Sequence, residues 1–355
     1  MNIKIKKLTI ILIVVSFIIS ILSIVTSFRY NNNNNFVNFN FTFRHKPMIN
    51  VVNYGAIGNG KTNDTYAIQK AIDDIHHKGG GIILIPNGIY LINATQSLNL
   101  LSNIELKMMP HAILQAIPNR SPSYAVINLD NVQHVMISGG IIKGERFKHK
   151  GTSGEWGMGI RVNGVKNVII KNTFIEDCWG DGIYLGANGT LCDQNVKLLN
   201  VLALNNRRNG ISLISGNNVL MEDCSILNSG GTAPGDGIDI EPNYPYNKLE
   251  NIRLYHIKTF SNAGNGIEIS LGMMNFSHHT VGIKVIGHID KGSKHGFSVT
   301  NTDVSGSIVV TDYAWMKSKS TPFIMRVSSH SLDKLYSPLH VMVQLLNIKS
   351  QANVS

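Results

Sequence analysis

Cysteine is nearly missing: the chain has three in 355 residues, Cys178, Cys192 and Cys224, with no CxxC spacing among them. An odd count without ligand spacing excludes a disulfide framework and a zinc site, and leaves buried core thiols as the simpler reading. Charge is sparse too, at 15% of residues. No acid precedes Pro47, whereas Lys4, Lys6, Lys7, Arg29, Arg44 and Lys46 all do. Removing those six from the 32 basic residues leaves 26 against 22 acids, so residues 47–355 carry about +4 of the formal +10. A basic surface for DNA or RNA is not supported, and no nucleic-acid partner is expected.

The run LTIILIVVSFIISILSIVTSF, Leu8–Phe28, has no charge over 21 residues and follows three lysines directly. That length crosses a bilayer as a helix and exceeds the apolar core of a cleaved signal peptide. Residues 1–28 are expected to be a signal anchor, or else a signal peptide, which places the rest on the extracellular face of the membrane or secretes it. The membrane is then a partner through this helix. Residues 29–48 read as an Asn-rich linker, in which NNNNNFVNFNFTF, Asn31–Phe43, is low in complexity and offers its aromatics to the lipid interface. Residues 49–355 form the remaining domain.

Few amphipathic helices follow residue 80, and short β-branched runs broken by Gly and Asn dominate instead. One phrase recurs as MGIRV, DGIYL, NGISL, DGIDI, NGIEI and HGFSV, with glycines at 159, 182, 210, 237, 266 and 296, at intervals of 23, 28, 27, 29 and 30 residues. A second phrase, NVQHVMIS, NVIIKN, NVKLLN, NVLMED and NIRLYHIK, lies between them. A pitch in the twenties with strands and no helices means a solenoid, and a parallel β-helix in particular. A leucine-rich repeat and a propeller lack their signatures here.

Ahead of the first coil, the helical run from Asp64 to His77 places Ala67, Ile68, Ala71, Ile72 and Ile75 on one stripe, as a cap for an open β-helix end requires. The stretch NYGAIGNGKTNDTYAIQKAI around it resembles the N-terminal cap and first coil of the pectate lyase 3-like, pectin-lyase-fold superfamily. The likeness runs from residue 49 to about 310. It implies an all-β, right-handed parallel β-helix with a short N-terminal capping helix, and a structural role for Asp64. Beyond about Asp312 the repeat is no longer visible.

By the two-residue period of a strand, the variable position of each phrase faces solvent, and stacked coils align Arg161, Tyr184, Ser212, Asp239, Glu268 and Ser298 at about 4.8 Å per rung. The residues before the glycines, among them Asp181, Asp236 and His295, align beside them. Crowded carboxyls raise one another's pKa, which suits a general acid and base pair, Asp236 with Asp239 or Glu268, with Asp181 as an auxiliary carboxylate. The plainer alternatives are a solvated acidic strand face or Ca²⁺ held on it; no metal site and no cofactor are assigned. Arg207, Arg208, Arg161, His295 and Glu241 are expected to bind substrate, and Tyr184 and Trp179 to offer rings to sugar faces.

PGDGIDI, AGNGIEI and KHGFSV resemble, in order, the successive-coil motifs of polygalacturonase-like hydrolases, so that Asp236 and His295 match that family's Asp and His. Asn265 and Gly266 replace its aspartate pair, and its RxK is not found after His295 in a coil context. KHGFSVTNT is similar to a segment of mannuronan epimerase-like proteins. The expectation is an exported enzyme that hydrolyses an acidic, uronic-acid-containing polysaccharide with paired carboxylates. Lyase or C5-epimerase chemistry, and a non-catalytic glycan-binding or adhesive β-helix, are the alternatives.

Overall fold

The computed structural model describes residues 39–274, 277–301, 304–326 and 342–346. The expected anchor, Leu8–Phe28, lies outside them. Among the described residues no helix is long and apolar enough to cross a membrane.

The chain winds as a right-handed parallel β-helix in which each full coil gives one strand to each of three parallel sheets. In one coil these are Lys166–Lys171, Phe174–Glu176 and Ile183–Leu185. The next coil pairs with them in register at Val168↔Val196, Phe174↔Leu202 and Ile183↔Ile211. The two recurring sequence phrases are the first and third strands. The middle strand escaped sequence reading because segments such as Phe174–Glu176 and Ser225–Leu227 bury a single residue each, too little to show a period.

Register alone builds the core. In the third sheet, called here the site sheet, Ile183 and Leu185, Ile211 and Leu213, Ile238 and Ile240, Ile267 and Ile269, then Phe297 and Val299 are fully buried on successive coils. Each such side chain contributes about 1.5–3 kcal/mol relative to exposure. All three cysteines are free and buried, Cys178 and Cys224 within this core and Cys192 beside a separate surface cleft.

Bends inside the first-sheet strands explain one series of asparagines. Asn167, Asn195, Asn218 and Asn251 all adopt left-handed backbone, with φ of 56°, 53°, 63° and 55°. Asn195, Asn218 and Asn251 each donate Nδ2 to the side-chain Oδ1 of the asparagine one coil back, at 2.7, 2.7 and 2.8 Å, and Asn167 Nδ2 lies 3.1 Å from His134 Nε2. The repeat glycines answer a different need, close approach: a Cβ on Gly159, Gly182 or Gly210 would sit 2.6, 2.6 or 2.8 Å from the carbonyl oxygen of the glycine on the following coil.

The capping helix, Thr65–His77, buries Ile68, Ala71, Ile72 and Ile75 against the column. Asp64 precedes it, and its carboxylate accepts the N–H groups of Ile57 at 2.7 Å and Gly58 at 3.1 Å, a structural role as expected. The linker aromatics require a correction. Phe39, Phe41 and Phe43 pack with Met136, Ile169 and Leu199 on the outer side of the first sheet, and Lys197 donates to the Phe39 carbonyl at 2.7 Å. Those rings are taken up by the protein, not by lipid. The loss of repeat after Asp312 is also corrected, since Ala314–Met316, Phe323–Arg326 and Met342–Leu346 add one further strand to each sheet.

Candidate active site

The predicted ladder forms. Arg161, Tyr184, Ser212, Asp239, Glu268 and Ser298 are consecutive register partners of the site sheet. Their expected solvent exposure holds only in part: Ser212, Asp239 and Ser298 are buried, while Arg161, Tyr184 and Glu268 are half-buried. Part of the ladder, Asp239, Glu268 and Ser298, thus floors a groove and not an open face.

A cleft of about 240 Å³ opens on the groove over the coils of Asp236, Asn265 and His295. Asp236, Asp239, Glu241, Glu268 and His295 line it, as do Lys294 and Arg326. Asp236 is 1% exposed. One of its oxygens, Oδ1, accepts the Asn265 N–H, and its Oδ2 is buried without a hydrogen-bond partner among the described residues. Burial, reinforced by the charges of Glu268 and Glu241, pushes its pKa up to about 7. Asp239 is driven well above the usual carboxylate range by burial and then by Asp236 and Glu241. Glu268, one rung on, has both oxygens engaged: Asn265 Nδ2 donates to Oε2 at 2.8 Å and Thr300 Oγ1 to Oε1 at 3.0 Å. His295 Nδ1 lies 2.6 Å from the Thr321 carbonyl oxygen. A carbonyl only accepts, so Nδ1 carries the proton.

Asn209, absent from the sequence-based site, links these groups. Its Nδ2 donates to Asp239 Oδ2 at 2.8 Å and its Oδ1 accepts the Asp236 N–H at 2.9 Å. Lys294 and Arg326 were missed as well. Both are exposed and form no ion pair among the described residues. Lys294 stood beside the matched His295. Arg326 lies in a strand whose Pro322 replaces the expected glycine, so the phrase that would have flagged it is broken.

Several expected site residues serve elsewhere. Asp181 is fully buried and does not line the cleft; it pairs with Arg208 at 3.0 Å and accepts the Asn209 N–H at 3.0 Å and Ser212 Oγ at 2.9 Å. Burial raises its pKa, with Arg208 opposing. Trp179 stacks on His149 with ring centroids 3.9 Å apart, and the Arg207 guanidinium lies 3.7 Å from the Trp179 ring. Contacts that close need both ring faces, so Trp179 has none free for a sugar. Arg207 Nη1 also donates to the carbonyls of Gly154 at 3.0 Å and Trp179 at 3.2 Å, which commits that nitrogen to the protein. Arg161 donates to Asn128 at 3.0 Å on an earlier rung, and Tyr184 lies between it and the cleft.

For a cation, the described residues bring together Glu222, Asp223 and His256, whose ligand atoms lie within 4.8 Å of one another. They occupy the turn after the first sheet, apart from the cleft acids.

Stacked coils with an acid-floored groove define a class of protein, and comparison agrees with it. The family description "Right handed beta helix region" matches residues 120–281. That match and the three-sheet coil architecture agree on one fold, the right-handed parallel β-helix. Protein YclG of Bacillus subtilis (strain 168) is 31% identical over 289 residues, covering 74% of this chain and 49% of YclG. The chain thus spans about half the length of that relative. Alginate lyase 7 of Azotobacter vinelandii is 52% identical over 44 residues, 12% of this chain and 5% of the lyase. Among solved structures, the family 28 exopolygalacturonase of Yersinia enterocolitica superimposes with a TM-score of 0.59 at 15% identity, over 86% of this chain and 66% of the enzyme. Identity that low speaks for the fold alone.

Proposed function

We propose that the cleft hydrolyses glycosidic bonds in an acidic polysaccharide, with Asp236 as general acid and Glu268 as the base that activates water. The observation that carries this reading is the state of Asp236: a buried carboxyl with a pKa of about 7, one oxygen fixed by a backbone N–H and the other unpartnered in a cleft. Such a group keeps a proton available near neutral pH, and one of its oxygens is not committed to a protein donor. Asp239 is a poor base, because burial and the neighbouring Asp236 and Glu241 charges drive its pKa well above the usual carboxylate range. Of the two other cleft carboxylates, Glu241 and Glu268, it is Glu268 that two side-chain donors hold in a fixed orientation on the neighbouring rung. Lys294 and Arg326, exposed at the cleft, would hold uronate carboxylates by charge, Arg326 in bidentate fashion.

The short likeness to alginate lyase 7 favours a second reading, β-elimination, in which the cations at the cleft stabilise the enolate formed when a proton leaves the carbon next to the uronate carboxylate. One assay separates the readings. Purified protein is incubated with polygalacturonate, alginate and neutral polysaccharides while reducing ends and the absorbance of unsaturated products are followed. Hydrolysis predicts new reducing ends without unsaturated product. Both signals together mean elimination, and neither, with retained binding, leaves a glycan-binding protein.

A further inference from the structure

The loop from Pro242 to Lys248 connects the strand Ile238–Ile240 of the site sheet to Leu249–Tyr255 of the first sheet. It carries two tyrosines that the hydrolytic reading leaves unused. Tyr244 and Tyr246 are 53% and 39% exposed, and their rings stack with centroids 5.0 Å apart and planes within 8°. Neither hydroxyl forms a hydrogen bond to another described residue.

Exposed rings on a loose loop would be unremarkable, but this loop is pinned. Asn247, 1% exposed, accepts the N–H groups of Asn243 at 3.0 Å and Tyr244 at 2.8 Å through its Oδ1, and donates its own N–H to the Tyr244 carbonyl at 3.0 Å. Lys248 N–H donates to the Ser215 hydroxyl at 2.9 Å. Asn243 Nδ2 reaches the Tyr184 hydroxyl at 3.5 Å, across to a rung two coils earlier. At its other end the loop begins directly after Glu241, which lines the cleft. The aromatic pair is therefore held rigidly beside the groove, on the side of the Tyr184 rung.

We infer that Tyr244 and Tyr246 form a sugar-stacking subsite that holds the polysaccharide where it runs out of the carboxylate cleft, an inference that rests on the hydrolytic reading. A pyranose ring has an apolar C–H face that packs on an aromatic ring while its hydroxyls remain in water. Tyrosine supplies that surface with few rotatable bonds, and a pre-ordered pair loses little entropy on binding. The subsite lies outside the cleft, so only a chain long enough to reach both gains from it.

The test uses calorimetric titration on the Asp236→Asn protein, which holds substrate without consuming it, with polygalacturonate and alginate, each as long chains and as disaccharides. Adding Tyr244→Ala and Tyr246→Ala is expected to weaken long-chain binding about tenfold, to leave disaccharide binding unchanged, and to be reversed by Tyr244→Trp with Tyr246→Trp. Unchanged long-chain affinity without the tyrosines overturns the subsite and leaves the cleft reading standing. Equal loss for long chains and disaccharides overturns it also, as general damage. No binding of either polymer by the parent protein overturns both.

Discussion

At the scale of single residues, the groove sorts its carboxylates by what surrounds each one. Asp181 is a buried charge with a cation, Asp236 a buried carboxyl with a free oxygen, and Glu268 a half-buried group with two donors. Arg208 is 14% exposed at its side chain, and although burial lowers its pKa, Asp181 and Asp239 outweigh that and keep the guanidinium charged. Arg208→Ala strands a fully buried carboxylate and is expected to destabilise the fold by about 3–5 kcal/mol in denaturant unfolding. In Arg208→Ala with Asp181→Asn much of the loss returns. Wild-type stability for the single variant would show that the pair is not needed.

Asp236 makes a prediction of opposite sign. Its carboxyl titrates near 7 when folded and at about 3.9 when unfolded, so between those values the unfolded chain releases its proton first. The contribution to stability is complete below about pH 4 and is lost as pH rises toward 7. Asparagine imitates the protonated acid and removes that dependence. In calorimetric scans, Asp236→Asn should melt above wild type at pH 7, with the gap closing toward pH 4. A gap constant with pH would contradict the raised value. Space around this acid is tight, since a Cβ on Gly264 would collide with Asp236 Oδ1.

At the scale of elements, the asparagine ladder does for the bends in the first-sheet strands what isoleucine does for the core. Asn218 both donates to Asn195 and accepts from Asn251, in left-handed backbone. Asn218→Ala loses two hydrogen bonds and adopts a conformation that costs an L-residue about 1–2 kcal/mol, a total loss of about 2–4 kcal/mol. Asn218→Gly should recover the backbone part only. Equal losses for the two variants in urea would mean that φ plays no role. Asparagine at these bends was legible in the sequence because a residue that tolerates positive φ and carries both a donor and an acceptor has few substitutes. The middle strand of each coil was not legible, since three residues with one pointing inward carry no pattern. Burial of Asp239 and the sandwiching of Trp179 were equally hidden: strand periodicity tells which way a side chain points, but not what folds over it.

At the scale of the whole molecule, equal-pitch coils fix both the core and the site. The ladder from Arg161 to Ser298 was read correctly from glycine spacing because register in a β-helix repeats coil after coil, and so residues nearly thirty apart in sequence become neighbours. Where the glycine phrase lapses, the coil continues unannounced, and it is this last turn of the solenoid that brings Arg326 to the cleft. Groups that act from the turns, such as Asn209 toward Asp239, depend on side-chain reach between coils, which no single repeat displays.

The central claim is that a proton held on Asp236 is delivered to a glycosidic oxygen. The most direct measurement is the initial rate of reducing-end release from polygalacturonate and from alginate, followed against pH for wild type and for Asp236→Asn. The account predicts a wild-type rate that falls as pH rises through about 7, where the acid loses its proton, and a variant rate lower by about 10²–10⁴-fold below that pH, with the gap narrowing above it. An Asp236→Asn protein that turns over either polymer at the wild-type rate would contradict it.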